Sequence, residues 1–284
     1  MLSLAQAATR RGKSGQPLPG MWPGLARREA FFNRSELGLV VGPPSAGKSL
    51  LMMNYAVRAQ VPTLAFFLDS DRLTVASRFG SILTGDTFRE VKEDIDSYKG
   101  ALDRMENTQV VFTADDLDDI RLQGEAFEQR YGVYPSLVII DNLGNLTSAM
   151  GDEWALLKAL TLEFNNLAHE WECAIVAAHH MTDLVTCEPL QRDKMLGKVS
   201  QYPRLILSIG FNPANREYKV AVVKNSSGPS DPQAANPVVM YADTSRMKLS
   251  EDDPLWSPSG SLEANRYSLP ESSHSVARGG WSAL

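Results

Sequence analysis

The sequence predicts an α/β fold in which a mainly parallel sheet is sandwiched by helices and carries an antiparallel edge. Two observations support this prediction. Short apolar segments alternate with longer amphipathic segments along most of the chain, and strands that alternate with helices form parallel sheets covered on both faces. The last three apolar segments follow one another without long helices between them, which is typical of antiparallel neighbours.

The individual elements follow from the spacing of apolar residues and from turn signals. The predicted strands are short apolar runs bounded by polar residues, glycine or proline. They are Leu37–Val41, Thr63–Leu68, Gln109–Phe112, Leu137–Ile140, Ala174–Ala178, Leu205–Ile209, Tyr218–Val223 and Val238–Tyr241. The predicted helices have longer amphipathic patterns, and the first stops before Pro62. They are Lys48–Ala59, Arg72–Leu83, Phe88–Met105, Leu117–Tyr131 and Trp154–Trp171.

Length and composition limit the class of protein. The 284 residues are 43% hydrophobic, which is enough for one large core, and no run of eighteen apolar residues indicates a membrane span. The two cysteines, Cys173 and Cys187, are too few for a disulfide framework, and no secretory signal is evident. We therefore expect a cytoplasmic protein. The net charge of -6 excludes a chain coated in basic residues but permits local contacts with nucleic acid.

Composition also divides the chain into three segments. Residues 1–34 are rich in glycine and proline and predict a mobile arm, in which Leu2–Thr9 could form a short helix. Residues 35–250 hold the alternating strands and helices and predict the folded domain. Residues 251–284 are rich in Ser, Pro, Gly and Asp. Such a composition buries too little apolar surface to order itself, so a disordered tail is expected.

A phosphate-binding motif lies between the first predicted strand and the first long helix. Residues 42–49 match G-x-x-x-x-G-K-[ST] and comprise Gly42, Pro43, Pro44, Ser45, Ala46, Gly47, Lys48 and Ser49. Glycine permits a turn that a Cβ would obstruct, and backbone N–H groups at the helix start point at phosphates. Lysine adds a positive charge, and the serine hydroxyl can ligate Mg²⁺. The loop predicts a site for ATP and Mg²⁺.

A second anchor for the magnesium ion is Asp141, which directly follows the apolar strand Leu137–Ile140. An acid at the end of a buried strand can orient a water molecule on a nucleotide-bound Mg²⁺. Together with Ser49, Asp141 is therefore a candidate for metal binding. The alternative is a polar cap after a strand, which the neighbouring phosphate motif makes less favourable.

The order of these motifs resembles that of the DnaB-like replicative helicases, whose ATPase domain has a RecA-like fold. Phe67-Leu68-Asp69-Ser70 lies where those helicases have Ser-Leu-Glu-Met, and Arg78 lies where their next helix has an arginine. The strand before His179-His180 ends where they usually have Ser-Gln. Val223–Pro229 resembles their segment Lys-x-Arg-x-Gly-Pro, which reaches into the ATP site of the neighbouring subunit. The resemblance covers about Glu36–Met247.

This resemblance implies roles for three further residues. Asp69 would polarise the attacking water, His180 would sense the γ-phosphate, and Lys224 would complete the site of a neighbouring subunit. The histidines could instead be metal ligands or ordinary core or surface residues. Asp69 is one methylene shorter than the usual glutamate, and Ser226 stands where a trans arginine is expected. Such an arginine contributes roughly 10³–10⁵ in rate, so we expect weak hydrolysis or activation only on DNA.

The DNA-binding loops of this family follow the strands that end near Asp141 and His180. Here they correspond to residues 142–152 and 183–201, and the second carries three basic residues on a polar stretch. These residues are Arg192, Lys194 and Lys198. In a ring, repeated copies would line a channel and contact the phosphates of single-stranded DNA. The alternative is that these are solvated charges on a loop.

These features predict an ATP-dependent, ring-forming DNA helicase that translocates on single-stranded DNA during replication. The expected assembly is a homo-oligomer, a hexamer, with a helicase loader or primase as a further partner and no membrane contact. It is of the compact phage type, because only about 35 residues precede the first strand. Residues Leu2–Thr9 would dock on the adjacent subunit. Two alternatives remain open: a RecA-like recombinase or single-strand-annealing ATPase, and a non-hydrolysing, ATP-switched helicase loader.

Overall fold

One mixed sheet of nine strands organises the computed structural model. The structure describes residues 12–146, 153–180, 186–194 and 199–252, together with Ser3, Gln6 and Thr9. The strands are β1 Glu36–Gly42, β2 Thr63–Phe67, β3 Thr108–Val111, β4 Leu137–Asp141, β5 Ala174–His180, β6 Leu205–Asn212, β7 Glu217–Asn225, β8 Val238–Asp243 and β9 Lys248–Ser250. Their order is β3-β2-β4-β5-β1-β6-β7-β8-β9. Strands β3 to β6 pair in parallel and β6 to β9 in antiparallel, which confirms the predicted fold class.

The helices are α1 Pro23–Ala26, α2 Lys48–Ala59, α3 Arg72–Thr84, α4 Phe88–Glu93, α5 Lys99–Leu102, α6 Leu117–Tyr131 and α7 Glu153–Glu170. The predicted continuous helix Phe88–Met105 is wrong, because short 3₁₀ helices at Ile95–Tyr98 and Asp103–Met105 interrupt it. The break begins at Asp94, which has φ −136° and ψ 53°. Its carboxylate accepts a hydrogen bond of 2.6 Å from the Ser97 hydroxyl. Such local side-chain bonds compete with helix propagation.

Apolar side chains from each strand pack on both faces of the sheet. On one face, Val40 belongs to a core that includes Leu51 of α2 and Phe79 of α3. On the other face, Leu39 belongs to a core that includes Phe164 of α7. Residues that alternate along a strand point to opposite faces, so a strand covered on both sides reads as a continuous apolar run. This explains why the central strands were predictable from sequence.

The arm predicted for residues 1–34 is not mobile over residues 12–34. Trp22 is only 1% exposed, and Leu25 and Phe32 are also buried in the core that contains α2. The Arg58 guanidinium lies over the Trp22 ring, 5.0 Å from the ring centre. The prediction was wrong because glycine and proline here shape turns, as at Gly20 with φ +87°, while the interspersed apolar residues are buried.

Two other predicted segments lie largely outside the described residues. Of the short helix at Leu2–Thr9, only Ser3 and Thr9 at its edges and Gln6 between them are described. Of the tail at residues 251–284, only the first two residues are described. The described residues fall within one compact unit, Met1–Pro254. Within them, no helix is long and apolar enough to cross a membrane.

The topology brings many chain turns together at one end of the sheet, which we call the carboxyl edge. The parallel strands β1, β2, β4 and β5 all end there, and their registers place Gly42 beside His180 and Phe67 beside Asp141. Strand β6 also runs towards this edge, β7 begins at it, and β8 returns to it. In open α/β sheets, ligands bind beyond the carboxyl ends of the strands.

Candidate nucleotide-binding site

A pocket of about 350 Å³ lies at the carboxyl edge. One part of its wall comes from the phosphate loop and from polar residues that follow β2, β4 and β5, and another part comes from β6, β7 and the β8–β9 turn. The lining residues are Ser45, Gly47, Lys48, Ser49, Leu50, Asp69, Arg78, Asp141, Asn142, His180, Phe211, Tyr218, Thr244 and Met247. The pocket is thus polar at one end and largely apolar at the other.

The phosphate loop has the backbone that its glycines require. Gly47 precedes α2 with φ +89°, a conformation that favours glycine. A Cβ at Gly47 would lie 2.9 Å from the Tyr218 ring, and one at Gly42 would lie 2.8 Å from the Ile209 side chain. The Tyr218 hydroxyl donates a 2.9 Å hydrogen bond to the Gly47 carbonyl. Strands β6 and β7 therefore buttress the loop from outside.

Not every residue of the motif faces the pocket. Ser45, Gly47, Lys48 and Ser49 line it, with Ser45 at φ 61°. The other members of the motif shape the loop without lining the pocket in this structure. They are Gly42, Pro43, Pro44 and Ala46.

Lys48 is only 6% exposed and is held on several sides. Its Nζ donates hydrogen bonds to the carbonyl oxygens of Pro43 at 2.8 Å and Gly42 at 3.1 Å. The Nδ1 atom of His180 lies 3.1 Å from the same nitrogen. Burial lowers the pKa of Lys48 to about 8, although the negative charges of Asp141 and Asp69 act in the opposite direction.

The acidic end of the pocket brings two carboxylates together. Burial raises the pKa of Asp141, and the nearby Asp69 raises it further. A hydrogen bond with the Ser49 side chain and the charges of Lys48 and Arg78 oppose this rise. Asp69 lies just beyond β2 and accepts a 3.1 Å hydrogen bond from the Ser70 hydroxyl.

The donors at this end fit a magnesium ion bound with a nucleotide. Ser49 and Asp141 are in hydrogen-bond contact, and both offer oxygen atoms, which Mg²⁺ prefers. Magnesium keeps several waters and uses only one or two protein carboxylates beside substrate phosphates. Within the described residues, no cluster of three or more His, Cys, Asp or Glu side chains could hold a metal by itself, so the alternative of a metal site at His179 and His180 gains no support.

Lys224 lies away from this pocket. It pairs with Ile206 near the start of β6, at the edge of the sheet opposite the phosphate loop. Its Nζ donates to the carbonyl oxygens of Ser200 at 2.7 Å and Gln201 at 3.1 Å. Burial lowers the pKa of Lys224, as do the positive charges of Arg192 and Arg204. Lys224 therefore cannot act in the pocket of its own subunit.

The candidate DNA-binding residues are only partly described. Arg192 and Lys194 lie in the 3₁₀ helix Arg192–Lys194, where Lys194 is exposed, and Lys198 lies outside the described residues. The backbone N–H of Arg192 donates to the carbonyl of Pro232 at 2.9 Å. Glu188 forms an ion pair with Lys219 of β7. The part of this loop that the structure describes is thus attached to the β6–β7 side of the domain.

Several pocket residues were not predicted from sequence. Leu50, Phe211, Tyr218 and Met247 read as ordinary core or strand residues, and Asn142 and Thr244 carry no motif. Arg78 was matched to a family position but given no role. Only the antiparallel return of β7 and β8 to the carboxyl edge brings the residues after β6 to the nucleotide site, and no local pattern encodes that return.

Comparison with known proteins defines the class of this chain. A family model described as an AAA domain matches residues 16–183. The chain belongs to this AAA-domain family. It is 32% identical over 238 residues to the Gene 65 protein of Mycobacterium phage L5, covering 78% of this chain and 88% of that protein. It is 31% identical over 212 residues to the Gene 65 protein of Mycobacterium phage D29, covering 68% and 90%.

Solved structures give the fold at finer detail. An ATPase domain of a DnaB-like replicative helicase, solved on its own, matches with a TM-score of 0.72 at 14% identity, covering 88% of this chain and 96% of that one. A second DnaB-like replicative helicase, whose structure was described with its interactions with primase, matches with a TM-score of 0.72 at 15% identity, covering 88% and 67%. The resemblance to DnaB-like helicases is therefore confirmed for the fold, which is that of their RecA-like ATPase domains.

Proposed function

We propose that this protein is an ATP-driven DNA helicase of the DnaB-like type. One observation carries the proposal: Lys48, Ser49, Asp69, Asp141 and His180 line a single pocket at the carboxyl edge of a DnaB-like ATPase fold. These residues come from four separate strand ends, and the sequence resemblance had assigned each a part in ATP binding or hydrolysis. A chance phosphate-loop sequence would have no reason to collect the other three.

In this mechanism, ATP replaces the internal partners of Lys48. The lysine leaves the carbonyl oxygens of Gly42 and Pro43 and contacts the phosphates, while backbone N–H groups at the start of α2 face them. Magnesium, when bound, neutralises charge on the phosphates. Asp141 and Ser49 hold its place. Asp69 accepts a proton from the attacking water. His180, already beside Lys48, senses whether the γ-phosphate is present.

The proposed site is completed between subunits. Lys224 lies at the opposite edge from its own pocket, so a contribution to hydrolysis requires a neighbouring copy. A ring of six copies meets this requirement, with Arg192, Lys194 and Lys198 facing single-stranded DNA. Primase or a helicase loader is a further candidate partner, since one structural neighbour was described with primase. The phage origin of the relatives supports a role in the host cytoplasm.

Turnover of ATP with and without single-stranded DNA tests the proposed function. We expect DNA to stimulate the wild-type protein and Lys48→Ala to abolish turnover. Lys158→Ala is the matched control, because Lys158 is exposed on α7, outside the pocket. Binding of ATP without turnover under any DNA condition would instead indicate the helicase loader.

Strand-separation and annealing assays distinguish the remaining alternative. A helicase separates a forked duplex only with ATP. A recombinase or annealing ATPase would pair complementary strands without separating them and would form filaments. Size measurement with ATP and DNA adds a second criterion, since a monomer under all conditions would contradict the ring.

A further inference from the structure

The end of the pocket away from the carboxylates has a distinct chemistry. Its walls come from Leu50 of α2, Phe211 of β6, and Thr244 and Met247 of the turn between β8 and β9. Leu50 is buried and Phe211 and Met247 are half-buried, while Thr244 contributes the hydroxyl. Nucleobases bind through their flat apolar faces with a few polar contacts, and ligand pockets generally combine these features. A bound ATP whose phosphates occupy the loop would therefore place its base at this end.

The β8–β9 turn is fixed to the phosphate-loop helix by one side chain. Asn54 lies on α2 one turn beyond Leu50 and is 4% exposed. Its Nδ2 donates to the carbonyl oxygens of Met247 at 2.9 Å and Leu50 at 2.8 Å. Its Oδ1 accepts from the backbone N–H of Leu249 at 3.2 Å. One amide thus ties both the turn and the first residue of the pocket wall to the same helix.

An asparagine at this position calls for a specific explanation. Its neighbours on α2 are buried apolar residues, among them Leu51, Met53 and Tyr55. A buried amide is tolerated when its hydrogen bonds are made, but it adds little stability over an apolar residue of similar size. What asparagine adds is a fixed position for the turn, because its three bonds define where Met247 lies. Met247 itself has φ 50°, a left-handed conformation that is rare outside glycine.

The turn is also braced within itself. The Asp243 carboxylate accepts hydrogen bonds from the N–H groups of Ser245 at 3.0 Å and Arg246 at 3.1 Å. The Ser245 carbonyl accepts a 2.7 Å bond from the backbone N–H of Phe88 at the start of α4. The turn therefore behaves as a preformed unit whose attachment to α2 depends on Asn54.

We propose that Asn54 is a positioning residue for the nucleobase, holding Met247 opposite Phe211 so that the base of ATP lies between them. This inference rests on the proposed ATP site and deepens it by assigning the base-binding end. Asn54 does not touch the nucleotide; it acts through Met247. The phosphate end, anchored by Lys48, does not depend on it.

Binding of two ligands separates the two ends of the pocket. ATP carries a base, whereas inorganic tripolyphosphate offers a similar phosphate chain without one. For Asn54→Leu, which keeps an apolar side chain of similar size, we expect ATP to bind about tenfold more weakly, the loss expected for one well-placed contact. Tripolyphosphate affinity should not change. Phe211→Ala should give the same pattern, and Lys48→Ala should weaken both ligands.

Met247→Gly provides a variant that does not threaten the fold. Glycine adopts the left-handed conformation of residue 247 without strain, and it removes the side chain from the pocket. If Asn54 acts through Met247, the double variant should lose no more ATP affinity than the larger single loss, because the effects of coupled residues do not add. Leu122→Ala, on an exposed position of α6, is the control.

Several results would overturn the inference. Unchanged ATP affinity in Met247→Gly and Phe211→Ala would show that the base does not lie at this end. Equal loss of ATP and tripolyphosphate in Asn54→Leu would show that Asn54 supports the phosphate loop instead, and fully additive losses would remove the link through Met247. These measurements need neither hydrolysis nor DNA, so they can succeed while the helicase proposal fails. Conversely, wild-type protein that binds no ATP refutes the proposed function itself.

Discussion

Lys48 shows how a single buried charge can set the conditions under which the site works. Backbone carbonyl oxygens and the His180 imidazole contact its amine, and burial still lowers its pKa to about 8. Phosphate binding requires the protonated amine. The protonated fraction in the free protein therefore falls within the range of pH in which most enzymes are assayed.

We expect ATP affinity to fall as pH rises through about 8. If only the protonated lysine binds ATP, the dissociation constant should rise about tenfold between pH 7 and pH 9. The protein should also take up a proton on binding ATP near pH 8.5, which calorimetry in buffers of different ionisation enthalpy detects. Lys48→Arg is the control, because a guanidinium stays charged throughout. Equal slopes for both proteins would contradict the assignment.

The same pKa has the opposite effect on stability. The folded value of about 8 lies below the ordinary value of 10.5, so between these pH values the unfolded chain binds more protons. The contribution of Lys48 to stability therefore rises with pH across that window. Loss of ATP binding above pH 8 with no decrease in the unfolding midpoint would distinguish deprotonation of Lys48 from general alkaline unfolding.

Asp69 tests the role of the shortened acid. Its carboxylate lines the pocket near Asp141 and Lys48, but it is one methylene shorter than the glutamate of the resembling helicases. We expect Asp69→Glu to raise the rate of ATP turnover and Asp69→Asn to abolish it, since a general base must lie within hydrogen-bond reach of its water. Steady-state turnover at saturating ATP is the measurement. Activity in Asp69→Asn equal to the wild type would exclude Asp69 as the base.

At the scale of elements, local patterns predicted the core strands and most helices. Helix α2 and helix α6 have the predicted bounds, because each combines apolar spacing with a clear start and a glycine or left-handed residue after its end. The short strand β9 was not predicted, and its pairing with β8 depends on long-range contacts. Pocket residues after β6 were missed for the same reason. The phosphate loop was fully predictable, because its backbone geometry is written in its own glycines.

The segment that precedes β1 gives an element-scale prediction. Trp22 is buried against Tyr55 and Arg58 of α2, so Trp22→Ala should lower the free energy of unfolding by roughly 3–5 kcal/mol. Chemical denaturation measures this change. Leu122→Ala serves as the exposed control and should change stability by less than about 0.5 kcal/mol. A small effect of Trp22→Ala would restore the mobile-arm interpretation.

At the scale of the whole molecule, the position of Lys224 predicts complementation between subunits. Lys48→Ala and Lys224→Ala should each have little activity alone. In a mixed ring, a Lys224→Ala subunit supplies an intact pocket and a Lys48→Ala neighbour supplies an intact Lys224, so mixing should restore part of the turnover. If Lys224 has no role in trans, the mixture should show only the sum of its parts.

The central claim is that ATP turnover in this pocket drives the separation of DNA strands. The most direct measurement is the unwinding of a forked DNA duplex in the presence of ATP and Mg²⁺, comparing wild type with Lys48→Ala and Lys158→Ala. The account predicts unwinding by the wild type and by Lys158→Ala, and none by Lys48→Ala or without ATP. Hydrolysis of ATP by the wild type without any strand separation, on forks of either polarity, would contradict it.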